Sequence, residues 1–128
     1  TLEYEKSYSP NSDWQHIGLA AKDLAESINA DGIIAITRTG KTAQYISNSK
    51  PNGIPIFTFT ANKKTLNQLT LVGSTKSFYL TNLSNHEKTL ENVSKILKKY
   101  YERDNLKFIM VSSIFSEEHS EAIQIINI

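Results

Sequence analysis

The sequence predicts an α/β fold built on a largely parallel sheet with helices on both faces. Three observations carry that expectation. Short, unbroken apolar runs such as GIIAIT (Gly32–Thr37) and KFIMVS (Lys107–Ser112) are bounded by turn residues, as strands buried on both faces are. Segments with a single apolar stripe at helical spacing lie between such runs, which is the alternation of βαβ units. The last link, SIFSEEHSE, has no such stripe and is short for a crossover, so the final strand is expected antiparallel at a sheet edge.

Residues 1–11 read as a linker, polar and without a sustained period. Ser12 with Gln15 offers a capping box, and Ile17, Ala21, Leu24, Ala25 and Ile28 then form one helical stripe that Asn29–Gly32 stops. After the first strand a second helix is expected from about Gly40 to Ser47. Ile54–Thr60 (IPIFTFT) is rich in β-branched and aromatic residues and reads as the second strand. A short helix over Lys63–Leu69 and a weaker strand over Ser77–Leu80 follow. Ser84 and Glu87 form another capping box ahead of Leu90, Val93, Leu97 and Tyr100 or Tyr101, a strongly amphipathic helix running to about Arg103. Lys107–Ser112 and Ala122–Ile128 are the last two strands.

The bulk numbers fit one domain and exclude several functions. With 128 residues, 39% hydrophobic, the chain suits a single core. Fourteen Lys and Arg balance thirteen Asp and Glu, so no overall charge points to nucleic acid or to a membrane surface. The absence of Cys excludes disulfides and thiolate metal sites. No apolar run approaches the roughly 18 residues of a transmembrane helix. The first residue is Thr and no signal-peptide core follows, which suggests an excised piece of a longer polypeptide. His16, His86 and His119 match no metal-ligand spacing, and no Gly-x-Ser-x-Gly elbow supports acyl transfer. Trp14, beside the linker, reads either as a core plug or as a junction residue facing another domain or subunit.

The turn after the first strand holds the candidate site. Gly40-Lys41-Thr42 looks like the end of a nucleotide-triphosphate P-loop, but the first Gly of that motif falls at Ala35, inside the strand. The link is too short to wrap a β-phosphate. What remains is still specific chemistry. Thr37, Arg38, Thr39, Gly40, Lys41 and Thr42 lie where a strand passes directly into a helix, so free backbone N–H groups and the helix dipole converge. The threonines supply hydroxyls, Arg38 and Lys41 supply charge, and Gly40 permits close approach of a ligand. These parts suit a phosphate monoester. They also suit a simpler arrangement in which Thr37 and Thr39 cap a helix and Gly40 makes the turn.

The ordered set of motifs resembles the carboxyl-terminal domain of pyruvate kinase. The family pattern runs from a helix rich in small residues into an apolar strand and Thr-x-Ser/Thr-Gly-x-Ser/Thr-Ala, matched here by Thr37 to Ala43. Pro51, Pro55-Ile56, Thr60, Asn62 with Leu66 and Leu69, and Gly73 follow in the family's order, and FIMVSS and AIQIINI are similar to its last two strands. The resemblance covers essentially the whole chain. It implies a three-layer α/β/α sandwich whose five-stranded, mostly parallel sheet ends in an antiparallel strand. It also implies a regulatory and oligomerisation domain without catalytic residues, and without metal or cofactor of its own. Phosphoryl transfer between phosphoenolpyruvate and ADP, with Mg and K ions, would belong to a catalytic barrel domain preceding the linker. The expected partners are that barrel, further copies in a tetramer and a phosphorylated effector held by residues 37–42, in a cytoplasmic glycolytic enzyme.

One segment departs from the family pattern. Where fructose 1,6-bisphosphate is the effector, the last loop usually carries Gly and basic residues, whereas here it carries Glu117, Glu118 and Glu121. Like charges about 4 Å apart cost on the order of several kcal/mol at a partly buried site. A sugar monophosphate or a nucleoside monophosphate therefore fits better than a bisphosphate, and loss of effector control is the competing expectation. Two further readings stay open: a free-standing phosphosugar-binding or isomerase-like α/β protein, whose general base would be Glu117 or Glu118, and an interaction module without a ligand.

Overall fold

A computed structural model describes residues 12–49, 51–72, 75–81, 85–112 and 122–128. In chain order the elements are α1 (Ser12–Ser27), β1 (Gly32–Ile36), α2 (Lys41–Asn48), β2 (Ile56–Thr60), α3 (Lys63–Val72), β3 (Lys76–Tyr79), α4 (His86–Tyr101), β4 (Lys107–Ser112) and β5 (Ala122–Asn127). The strands form one sheet in the order β3-β2-β1-β4-β5. β1 pairs in parallel with β2 and β4, β2 in parallel with β3, and β4 antiparallel with β5. This is the sheet anticipated from the alternating pattern, including its reversed last strand. Residues 1–11 and the acidic loop at 113–121 lie outside the described residues.

The two faces of the sheet are packed differently, and the sequence says why. β1 and β2 are buried at every position, as their unbroken apolar runs require. Alternate residues then serve alternate faces. Ile33, Ala35, Ile109 and Val111 face α1, α2 and α3, and share a core with Ala21, Ala25, Ala43, Ile46 and Leu69. Ile34, Ile36, Phe57, Phe59, Phe108 and Met110 face α4 and meet its Val93 and Leu97. A lone helix covers that second face among the described residues, so large rings fill the space. Phe57 makes edge contacts with Tyr100 at 5.3 Å and with Phe108 at 6.1 Å between centroids, and Phe59 stacks on Phe78 at 5.2 Å.

Several boundaries move for identifiable reasons. β2 begins at Ile56 because Pro55 lacks an N–H, although its carbonyl still accepts from Ile33 N at 2.9 Å. α4 is capped by Asn85, whose side chain accepts from Lys88 N at 3.0 Å, in place of the expected box starting at Ser84. The same helix stops at Tyr101 because Glu102 adopts the left-handed conformation, φ 56°. At the amino ends of β1 and β4 the backbones of Asp31 and Lys107 bond at 2.7 Å, and the Asp31 carboxylate accepts from Lys107 N at 2.9 Å and from Arg103 at 2.5 Å. The Tyr101 hydroxyl donates to the Asp31 carbonyl at 2.7 Å. Burial, reinforced by the Asp31 charge, raises this phenol from 10.0 to about 12.

α1 approaches α2 so closely that a side chain at Gly18 has no room. A Cβ there would lie 2.6 Å from the Tyr45 carbonyl oxygen, a backbone atom that no rotamer change can move. Gly18→Ala therefore sets two effects of opposite sign against each other. The helix gains about 1 kcal/mol of propensity, while the forced separation of two backbones costs about 1–3 kcal/mol. The packing cost is expected to win, lowering the urea midpoint; a raised midpoint would show that α1 can shift off α2 freely.

Candidate functional site

The order of the strands places a switch point beside β1. The chain leaves β1 toward β2 and β3 on one side, then returns through α4 to β4 on the other. In open parallel sheets the carboxyl ends of the strands flanking such a point leave a crevice in which ligands bind. Residues 37–42 occupy that end of β1.

The turn is held by its own hydroxyls. Thr37 extends the ladder, its N–H donating to Phe59 O at 3.0 Å, and its side chain is buried. Thr37 Oγ1 accepts from Gly40 N at 2.8 Å, and Thr39 Oγ1 accepts a longer, 3.5 Å bond from Lys41 N. Gly40 sits at φ 91°, ψ −5° as the residue before the helix, a conformation that any residue with a Cβ adopts only under strain. Thr42 is buried at 1% exposure, whereas Arg38, Thr39 and Lys41 face solvent.

These bonds divide the donors at the start of α2. The amides of Gly40 and Lys41 are engaged by threonines, while those of Thr42 and Ala43 have no partner among the described residues. No acidic residue stands in the first turn of α2. The positive end of the helix is thus uncompensated there, with two cationic side chains on the same turn. The six expected residues are brought together, but in two roles: Thr37 fixes the turn from inside, and the Thr42 and Ala43 amides point outward from it.

Thr65 also belongs to this turn, although its part was not read from the sequence. Its N–H donates to the Asn62 side chain at 3.0 Å, which caps α3, and its hydroxyl donates to Arg38 O at 2.6 Å. One threonine thereby ties the first turn of α3 to the β1–α2 turn. The signal was present in Asn62-Lys63-Lys64-Thr65, a cap followed three residues on by a hydroxyl, but the long-range partner is not legible locally.

Beside Gly40 a cleft of about 310 Å³ runs between α2 and α3. It starts at Thr39 and Gly40, continues past Ala43 and Gln44, and is closed on the far side by Gln68 and Leu69. Among the described residues no cluster of His, Asp and Glu is placed to hold a metal ion. No described helix is long and apolar enough to cross a membrane. Glu117, Glu118, Glu121 and His119 lie outside the described residues, so the general base that an isomerase needs is not found among those described.

A parallel sheet closed by one antiparallel strand, with an exposed cationic turn at its switch point, defines an α/β ligand-site sandwich. The family model described as pyruvate kinase, alpha/beta domain, matches residues 15–125, and the chain belongs to that family. Among curated relatives, pyruvate kinase of Eimeria tenella is 27% identical over 95 residues, which is 74% of this chain and 18% of that protein. Pyruvate kinase 2 of Synechocystis sp. is 27% identical over 111 residues, 86% of this chain and 18% of the relative. A crystal structure of pyruvate kinase from Cryptosporidium parvum superposes with a TM-score of 0.77 at 24% identity, covering 89% of this chain and 22% of that one. The same organism's enzyme in complex with ADP gives 0.75 at 23% identity, covering 90% and 23%. These structures establish the fold. The chain spans under a fifth of the length of the curated relatives, 18% in both cases.

The clamp at Thr65 yields a direct test. Thr65→Val keeps the shape but leaves a buried Arg38 carbonyl without its donor, a loss of about 1–3 kcal/mol. The unfolding free energy is expected to fall by that amount, and hydrogen exchange at the Gly40 amide to quicken. An unchanged midpoint with unchanged exchange would mean that the turn is held by the threonines of its own segment alone.

Proposed function

We propose that this chain is the effector-binding and assembly domain of a pyruvate kinase, and that it carries no catalytic residue itself. Phosphoryl transfer between phosphoenolpyruvate and ADP, with Mg and K ions, falls to a barrel domain elsewhere in a parent cytoplasmic enzyme. The phosphorylated effector sits at the β1–α2 turn, with its phosphate on the Thr42 and Ala43 amides and on the Thr39 hydroxyl, flanked by Arg38 and Lys41. The observation that carries this reading is the pair of unpartnered amides at the uncompensated start of α2, placed at the sheet's switch point. The acidic last loop, with Glu117, Glu118 and Glu121, favours a monophosphate over a bisphosphate.

Assembly follows from the uncovered edge of the sheet. β5 is an outermost strand whose six residues, Ala-Ile-Gln-Ile-Ile-Asn, include no charge and no Pro, and Ile125 is 49% exposed. Natural edge strands usually carry charge, Pro or a bulge to block further pairing. A neutral edge suits a second copy pairing across a twofold axis, the commonest symmetry of homo-oligomers.

Two measurements address these two parts. Glucose 6-phosphate is expected to shift the Thr42 and Ala43 amide resonances, and fructose 1,6-bisphosphate to bind no more tightly by calorimetry. Micromolar binding of the bisphosphate overturns the monophosphate reading, and silence toward both removes the effector. In sedimentation the chain is expected to dimerise and Ile125→Lys to be monomeric. A chain that remains monomeric at millimolar concentration rules out assembly through β5.

A further inference from the structure

We propose that the cleft between α2 and α3 takes a nucleobase with its ribose, so that the effector is a nucleoside 5′-monophosphate; the inference rests on the phosphate seat argued above. The two sites share a wall, since Thr39, Gly40 and Ala43 line the cleft and also form the start of α2. A ligand with its phosphate on the Thr42 and Ala43 amides thus has one recess into which its remaining bulk extends. At about 310 Å³ that recess is of the size that holds a small organic ligand.

The chemistry of the recess selects among phosphate esters. Its floor is apolar: Ala43 is fully buried and Leu69 is 7% exposed. Its rim carries three side-chain amides, Gln44, Asn48 and Gln68, all exposed and without partners among the described residues. None of the described residues lining it is charged. A nucleobase has two apolar faces and an edge on which donors and acceptors alternate. A primary amide offers two donors and an acceptor oxygen, so it reads either kind of group on that edge. A hexose carries hydroxyls around its whole ring, and those turned to Ala43 and Leu69 would lose water without gaining a partner. The floor therefore disfavours a sugar where it accepts a heterocycle.

The test uses calorimetry of the whole chain with adenosine 5′-monophosphate, adenosine, glucose 6-phosphate and inorganic phosphate. Adenosine 5′-monophosphate is expected to bind at least roughly ten-fold more tightly than glucose 6-phosphate, the worth of about one well-made hydrogen bond. Gln68→Ala and Gln44→Ala change exposed residues and leave the fold intact. Each is expected to weaken the nucleotide several-fold and to leave glucose 6-phosphate unchanged. Equal affinity for nucleotide and sugar phosphate, or indifference to both substitutions, overturns the cleft assignment while leaving the phosphate seat in place. Adenosine binding as tightly as its monophosphate, with Gln68→Ala weakening both, keeps the cleft and removes the seat. No response to any of the four probes overturns both.

Discussion

β1 has helices on both of its faces and a parallel strand on both of its edges, and the rest of the domain is arranged by that constraint. A strand so enclosed has no polar surface left, so all five residues of Gly32–Ile36 are buried. The chain can leave it only at its carboxyl end, where Thr37 still pairs with Phe59. Gly40 then reverses direction within the left-handed region, and α2 begins at the next residue. The short link that disqualifies a P-loop is thus a consequence of the burial of β1. It is also what brings the start of a helix to the switch point of the sheet.

Capping and anion binding are compatible at this turn because they draw on different donors. A helix start presents four backbone N–H groups that no carbonyl within the helix can accept. Thr37 and Thr39 engage the first two, which makes the turn rigid. Thr42 and Ala43 hold the remaining two in a fixed direction. Free donors on a loose turn would have to be ordered by the ligand at an entropic cost. Here the threonines and the Thr65 clamp meet that cost during folding. The simple reading of the turn therefore supplies the preorganisation that the functional reading needs.

The fold was legible in the sequence because its signals are local and repeated. Period-free apolar runs gave the buried strands, and helical stripes gave the crossovers. The missing stripe after Ser112 pointed to the antiparallel β5, which the pairing of Lys107–Ser112 with Ala122–Asn127 shows. What stayed hidden depends on contacts between distant residues. Gly18 looked like an ordinary small residue in a helix, yet it is where α1 meets the Tyr45 carbonyl. Asp31 looked like a turn residue, yet it joins Arg103, Tyr101 and Lys107. At the site, the residue types and their location were readable from Thr37–Thr42. The division between inward and outward groups was not, because it depends on Phe59 and Thr65, both more than twenty positions away in the chain.

The two edges of the sheet are treated in opposite ways, and the contrast bears on how the domain is used. β3 is short, only four residues, and carries Lys76, whose ammonium lies 5.8 Å from the Tyr100 ring centroid. Lys63 lies 5.6 Å from the Tyr79 ring at the same edge. A brief strand flanked by cations discourages pairing with another chain. β5 is longer, neutral and studded with Ile, and no such device guards it. A domain that needed only to stay soluble would be under the same pressure at both edges. Protection of one edge alone is what a chain requires when it joins copies through the other, and it leaves the β1–α2 turn, at the ends of the strands, clear of that junction.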